Sequence, residues 1–204
     1  MSFGLTADPV AGSEGKALYQ TMATVKAVRN RALPIAEDNP HYIIFAVQVR
    51  QYPSTRLLVQ SSVAPIELGR EMSPYMETQA LHGFVRAHQV ELAQDAPQEM
   101  YIYNWVEKAQ GPMVFDVGVP IADDAIVPED DRFFVKTYPP IKVASIIYEG
   151  PFPYQEMSGW DHIQWEQRSY QAGHVYTHRV YRELYHAYDF DDNRHVTEIQ
   201  IEIE

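Results

Sequence analysis

The sequence predicts an α+β fold: two β-α-β-β repeats around a pseudo-twofold axis, forming an antiparallel sheet with helices on one face and a groove on the other. Three observations lead there. The apolar period switches along the chain between helical spacing and strict alternation. Short landmarks recur in the same order at a slowly drifting offset. A single β-α-β-β unit would also leave a one-sided sheet with an open edge, which is unstable alone, so two units should pair.

The elements follow in order. Met1 to Gly15 is small and polar. Lys16 to Arg31 reads as a helix, with Leu18, Met22, Val25 and Arg29 on one stripe and no Gly or Pro inside. Pro34 and Asn39-Pro40 stop it. Residues 1–40 therefore read as an N-terminal helical extension, whose thin apolar stripe suits a docking helix, a lid or a homodimer contact. From His41 the period becomes two: Ile43, Phe45, Val47 and Val49 alternate with Ile44, Ala46, Gln48 and Arg50, a strand that Tyr52-Pro53-Ser54 breaks. Arg56 to Ser62 is a second strand. Pro74 to Glu91 returns to helix, carrying Met76, Ala80, Phe84, Val85 and His88. Glu99 to Val106 and Met113 to Ile121 are strands joined by a turn at Lys108 to Gly111.

The same order then recurs. Val49-Arg50-Gln51-Tyr52-Pro53-Ser54 matches Val135-Lys136-Thr137-Tyr138-Pro139-Pro140 at an offset of 86. Glu71-Met72 matches Glu156-Met157 at 85, and Glu99-Met100-Tyr101 matches Glu183-Leu184-Tyr185 at 84. Asp116-Val117-Gly118-Val119 matches Glu198-Ile199-Gln200-Ile201 at 82. The reading is one ligand-binding domain over 41–204 with repeats at about 43–121 and 129–204, joined by the acidic linker Ala122 to Asp131.

Composition narrows the function. Hydrophobic residues make up 46% of 204 positions, enough for a full core, and cysteine is absent, which removes disulfides and thiolate chemistry. A net charge of -12 makes the chain a poor ligand for phosphate backbones, so direct DNA binding is not expected. No apolar run approaches the roughly 20 residues of a membrane span, and Met1 to Gly15 lacks a signal-peptide pattern. The expected location is the cytoplasm.

Strand alternation sorts the candidate site. Glu99, Tyr101, Tyr103 and Trp105 share one face, opposite Met100, Ile102, Val106 and Asn104. Tyr181, Glu183 and Tyr185 share another, opposite Val180, Arg182, Leu184 and His186. The aliphatic side suits packing under a helix. A carboxylate among rings is costly to bury unless a cation or hydrogen-bond donor meets it. These seven aromatic and acidic residues are therefore expected to line one groove with Glu183 at its centre. No metal or cofactor is expected. His174 and His178 are four apart where a loop enters an expected strand, and on a strand that spacing is too far for one ion. His82 and His88 share no clean helix face, and nothing selects a haem ligand. Trp160 and Trp165, five apart on the second expected helix, cannot both face the groove. The lone serines lack a nucleophile-elbow context, and Asp189 to Asp192 reads as a hairpin loop.

Val143 to Tyr148, Glu149-Gly150-Pro151-Phe152, the Trp-containing helix, Glu183-Leu184-Tyr185 and the terminal Thr197-Glu198-Ile199-Gln200-Ile201 strand together resemble the GyrI-like small-molecule-binding superfamily. That group includes the effector-binding domains of bacterial multidrug-responsive regulators and stand-alone proteins. The resemblance is best over Pro139 to Glu204, weaker over His41 to Ile121 and absent before that. It implies two β-α-β-β repeats and an aromatic pocket in which a strand glutamate, matched here by Glu183, meets cationic or polar ligands. The forty N-terminal residues are too few for the regulators' helix-turn-helix domain, so a stand-alone binding protein is expected. Two alternatives accompany it. One is a hydrolase opening strained rings of reactive natural products with Glu183 and Glu99. The other is an interaction module sequestering a basic protein.

Overall fold

The computed structural model describes residues 21–64, 75–104, 113–151, 168 and 172–204. Its named elements are helices α1 (Thr21–Arg29) and α2 (Tyr75–His88) and ten strands. The strands are β1 (Ile35–Asp38), β2 (Ile43–Phe45), β3 (Gln48–Tyr52), β4 (Thr55–Ala64), β5 (Glu99–Asn104), β6 (Met113–Pro120), β7 (Phe134–Tyr138), β8 (Ile141–Gly150), β9 (Tyr176–Ala187) and β10 (His195–Ile203). They form one sheet in the order β1-β2-β8-β10-β9-β5-β6-β4-β7, with β3 also on β8. The pairings are antiparallel throughout. The expected α+β class with a large antiparallel sheet is what is observed. The expected second helix, with Trp160 and Trp165, and the turn at 108–111 lie outside the described residues.

Between β4 and β8 the strand order reads alike from both sides, while β1 and β2 extend only the β8 side. β5 and β9 meet in the middle, β6 and β10 flank them, and β4 and β8 come next. Beyond them β3 pairs with β8 and β7 with β4, so each leading strand crosses to the other half of the sequence; β2 pairs with β8 as well and carries β1 at that edge. The interior strands β8 and β10 are buried along nearly their whole length, which explains the run Val143 to Tyr148, apolar but for Ser145.

Directly paired residues share a face. Gln60, Val117, Tyr101, Glu183, Ile199 and Ile146 form one row across the sheet. Val59, Gly118, Met100, Leu184, Glu198 and Ile147 form a row on the opposite face. Helix α2 lies on the first of these. Its Leu81, Phe84 and Val85, at helical spacing, pack on Leu58 and Val119, and its His82 reaches Glu99. This corrects the expected separation of a helix face from a groove face: the described long helix and the glutamates share one side. The aliphatic side is covered instead by α1 and by the segment before β5, whose Ala93 and Ala96 pack on Leu57, Val59, Met100 and Leu184.

The N-terminal extension also departs from expectation. It contributes edge strand β1 as well as a helix. Val25 and Val28 of α1 pack with Ile43, Phe45, Ile147 and Val196, so the helix docks on its own sheet. The buried face is Thr21, Thr24 and Val28, while Met22, expected on the stripe, is 70% exposed. Asp95 fixes this rotation: its carbonyl accepts from Thr21 N and its carboxylate from Met22 N, a favourable charge at a helix start. The single strand expected from Ile43 is broken at Ala46-Val47 into β2 and β3, where Ala46 N bonds to Pro34 O.

The Tyr-Pro landmarks have a chemical role. In β3, Arg50 and Tyr52 converge on Glu198 of β10, with Tyr52 Oη donating at 2.9 Å and the guanidinium at 3.5 Å. Glu198 is fully buried and also accepts from Ser145 Oγ (2.5 Å), His186 Nε2 (2.9 Å) and Gln200 Nε2 (3.0 Å). In β7, Lys136 Nζ (2.8 Å) and Tyr138 Oη (2.5 Å) converge on Asp116 of β6 in the same way, with Ser61 Oγ as a third donor. Burial, then the hydrogen bond to Asp116, pushes the Tyr138 phenol far up.

Gly118 sits in the row with Val59, where there is little room for a side chain. A Cβ there would come within 2.8 Å of Val59 Cγ1 and 3.1 Å of the Leu58 carbonyl. The carbonyl belongs to the ladder and cannot yield. Gly118→Val should therefore cost about 1–3 kcal/mol despite its better strand propensity. A thermal melt no lower than that of the parent chain would show that the sheet absorbs the added side chain.

Candidate functional site

The middle pair of strands builds the site. The two Glu-x-Tyr triplets run antiparallel against each other, so that Glu99 lies opposite Tyr185 and Tyr101 opposite Glu183, with Met100 and Leu184 paired between them on the other face. Tyr103 lies opposite Tyr181. One face therefore carries two carboxylates on adjacent strands in a diagonal relation, surrounded by phenol rings. Tyr101 and Tyr185 meet edge to face at 5.3 Å, Tyr103 and Tyr181 are 5.2 Å apart, and Tyr188 stacks on Tyr185 at 5.9 Å.

Both carboxylates are buried, Glu183 at 3% exposure and Glu99 at 5%. Glu183 accepts from Tyr181 Oη (2.7 Å) and Tyr185 Oη (2.9 Å), one on each carboxylate oxygen. These donors stand two residues before and after it, where alternation puts them on its own face. Glu99 accepts from Tyr188 Oη at 2.7 Å and from His82 Nε2 of α2 at 3.0 Å. Each of the four carboxylate oxygens thus accepts from a phenol or an imidazole. Six of the seven residues expected to line a groove come together here; Trp105 lies outside the described residues.

Sequence reasoning missed His82 and Tyr188. His82 flanks the Leu81/Val85 stripe of α2 and is carried to Glu99 by that helix's docking. Tyr188 follows β9 and folds back over Tyr185. The other histidine surprise is His186, which is 5% exposed and links Thr21 Oγ1 (2.9 Å) to Glu198 behind the sheet. Among the described residues no group of three His, Asp or Glu side chains is placed to hold a metal ion.

Concavities among the described residues lie elsewhere. An open trough of about 730 Å³ runs along the acidic linker, lined by residues including Val127, Glu129, Asp131 and Phe134. Its Asp130 caps the turn, accepting from Arg132 N and Phe133 N, so its charge is already committed to the loop. A cavity of about 220 Å³ lies between His82, Leu92, Ala96, Pro97 and Val119, beside the Glu99 end of the site. The tyrosine-carboxylate row is preferred as the candidate site over the larger trough because it gathers two buried carboxylates among aromatic rings and converging donors.

No family model matches the sequence, and no curated relative matches it either. Solved structures share its fold. The C-terminal domain of EcmrR aligns with a TM-score of 0.58 at 16% identity, over 78% of this chain and 96% of that one. SAV2435, solved bound to tetraphenylphosphonium, aligns at 0.55 and 15% identity, over 78% and 94%. A hydrolase from Listeria innocua aligns at 0.50 and 11% identity, over 78% and 92%. At these identities the likeness establishes the fold.

Proposed function

We propose that this chain, with the fold of the EcmrR C-terminal domain, binds amphipathic, aromatic or cationic small molecules at the tyrosine-lined row centred on Glu183. The observation that carries the reading is a buried carboxylate held between two phenols on the same face as a second carboxylate. Phenol donors satisfy the carboxylate. A cation entering among the rings gains cation-π contact and a charge-assisted partner at once. The neighbour solved with tetraphenylphosphonium supports a ligand of this class. The matched registers of the two Glu-x-Tyr strands support reading the domain as two repeats around a pseudo-twofold axis. A hydrolase with Glu183 and Glu99 in the reacting positions is the second reading, favoured by the His82–Glu99 contact, which supplies a proton carrier beside a carboxylate.

A thermal-shift screen of cationic dyes and neutral aromatics tests the first reading. A ligand at a hundred times its Kd adds about 2.7 kcal/mol to the folded state, so binders should raise Tm by several degrees. A screen in which no cation or aromatic shifts Tm would sink it. Turnover of a ring-strained electrophile, abolished in Glu183→Gln, would favour the hydrolase.

A further inference from the structure

Glu99 and Glu183 present two anionic positions on one face, not one. Each stands opposite the tyrosine of the other's Glu-x-Tyr triplet, which places them diagonally on neighbouring antiparallel strands, about 7–8 Å apart at the backbone. Both are withdrawn from water, so their mutual repulsion is weakly screened. Rings stand at both ends: Tyr103 and Tyr181 beyond Glu183, Tyr185 and Tyr188 beside Glu99. We propose that the preferred ligand is a dication, with two quaternary or protonated nitrogens separated by a short aliphatic or aromatic spacer, one nitrogen at each glutamate. The proposal rests on the cation-binding reading above and gives it a ligand class.

The two ends are not equal. Glu99 Oε1 is engaged by the His82 imidazole, delivered by α2, while Glu183 is bracketed by Tyr181 and Tyr185 of its own strand. A nitrogen arriving at Glu99 must compete with His82. Glu183 is thus the first anchor for any cation, and His82 sets how strongly the second charge is rewarded. The cavity beside His82, walled by Leu92, Ala96 and Val119, gives the displaced imidazole room to move.

Isothermal titration of the full chain with pentamethonium and with pentyltrimethylammonium tests this. The dication has two nitrogens at a spacing close to that of the glutamates, and the monocation keeps the same chain with one. Pentamethonium should bind roughly tenfold tighter or better. That ratio should fall toward one in Glu99→Gln and rise several-fold in His82→Ala. In the parent chain, lengthening the spacer to decamethonium should erode the advantage, a test that needs no variant. Equal Kd values for the dication and monocation, or an advantage that grows steadily with spacer length, would overturn the two-site proposal and leave the cation-binding reading standing. Binding of neither ammonium ion, together with no binding of tetraphenylphosphonium, would overturn the reading on which it rests.

Discussion

Glu198→Ala should cost about 3–5 kcal/mol of folding stability, the largest single-residue effect expected in this chain. The carboxylate is fully buried, and five side chains on four strands point at it: Tyr52, Arg50, Ser145, His186 and Gln200. Removing it leaves the largely buried Arg50 guanidinium and buried donors facing a void, which costs more than the pair itself contributes. The network also reaches α1, since His186 holds Thr21 on its other ring nitrogen. The helix should therefore fray in the variant, visible as faster amide exchange over residues 21–29. Burial alone would raise the pKa of Glu198; Arg50, His186 and Ser145 override it and hold the group well below its ordinary value of 4.5. For a depressed carboxylate the stabilisation is complete above the unfolded-state pKa and is lost as pH falls below it toward the folded value. Urea midpoints should drop as pH falls below about 4.5, and Glu198→Gln should flatten that slope. A variant with parental midpoint and parental acid slope would show that the network is held elsewhere.

Glu183→Gln should raise the Kd for tetraphenylphosphonium by about 10- to 100-fold, equivalent to the roughly 1.5–3 kcal/mol of a charge-assisted contact. The amide keeps the shape of the carboxylate and can still accept from one phenol, so packing is largely preserved. A neutral aromatic of similar size, such as triphenylphosphine oxide, should lose little. The contrast between the two ligands is the measurement. Equal losses would mean that the carboxylate only shapes the pocket through Tyr181 and Tyr185. Melting of the variant alone, without ligand, separates this from a folding defect.

The central strands were legible because alternation is local. Once Glu99, Tyr101 and Tyr103 were placed on one face, and Tyr181, Glu183 and Tyr185 on another, antiparallel pairing was enough to bring them together. The side on which α2 packs was not legible. A strand's period says which residues share a face, but the connection geometry over Gln89 to Gln98 decides which face receives the helix. His82 was missed for the same reason: it lies beside the inward stripe, and only the docking direction brings it to Glu99. The α1 stripe was not legible because two hydrogen bonds from Thr21 N and Met22 N to Asp95, remote in sequence, set the rotation of that helix. The Tyr-Pro repeats were visible only as landmarks. Arg50 and Tyr52, like Lys136 and Tyr138, are two apart on a strand, which signals a shared face, but the acids they meet lie two strands away.

The crossing of β3 to β8 and of β7 to β4 governs how this chain can reach its native state. Gln48 must find Ser145, and Thr55 must find Tyr138, before either outer edge of the sheet is closed. Such pairings pay loop-closure entropy long before they return contact energy, so refolding should be slow for a chain of this size. Neither half can finish itself. A fragment ending in the linker at 122–131 keeps β4 but lacks the strand that covers its edge, and the remaining fragment lacks the strand that belongs on β8. The two pieces, each aggregation-prone through its bare strand edge, should instead complement one another when mixed. Cutting the linker of the folded protein should leave one particle rather than two.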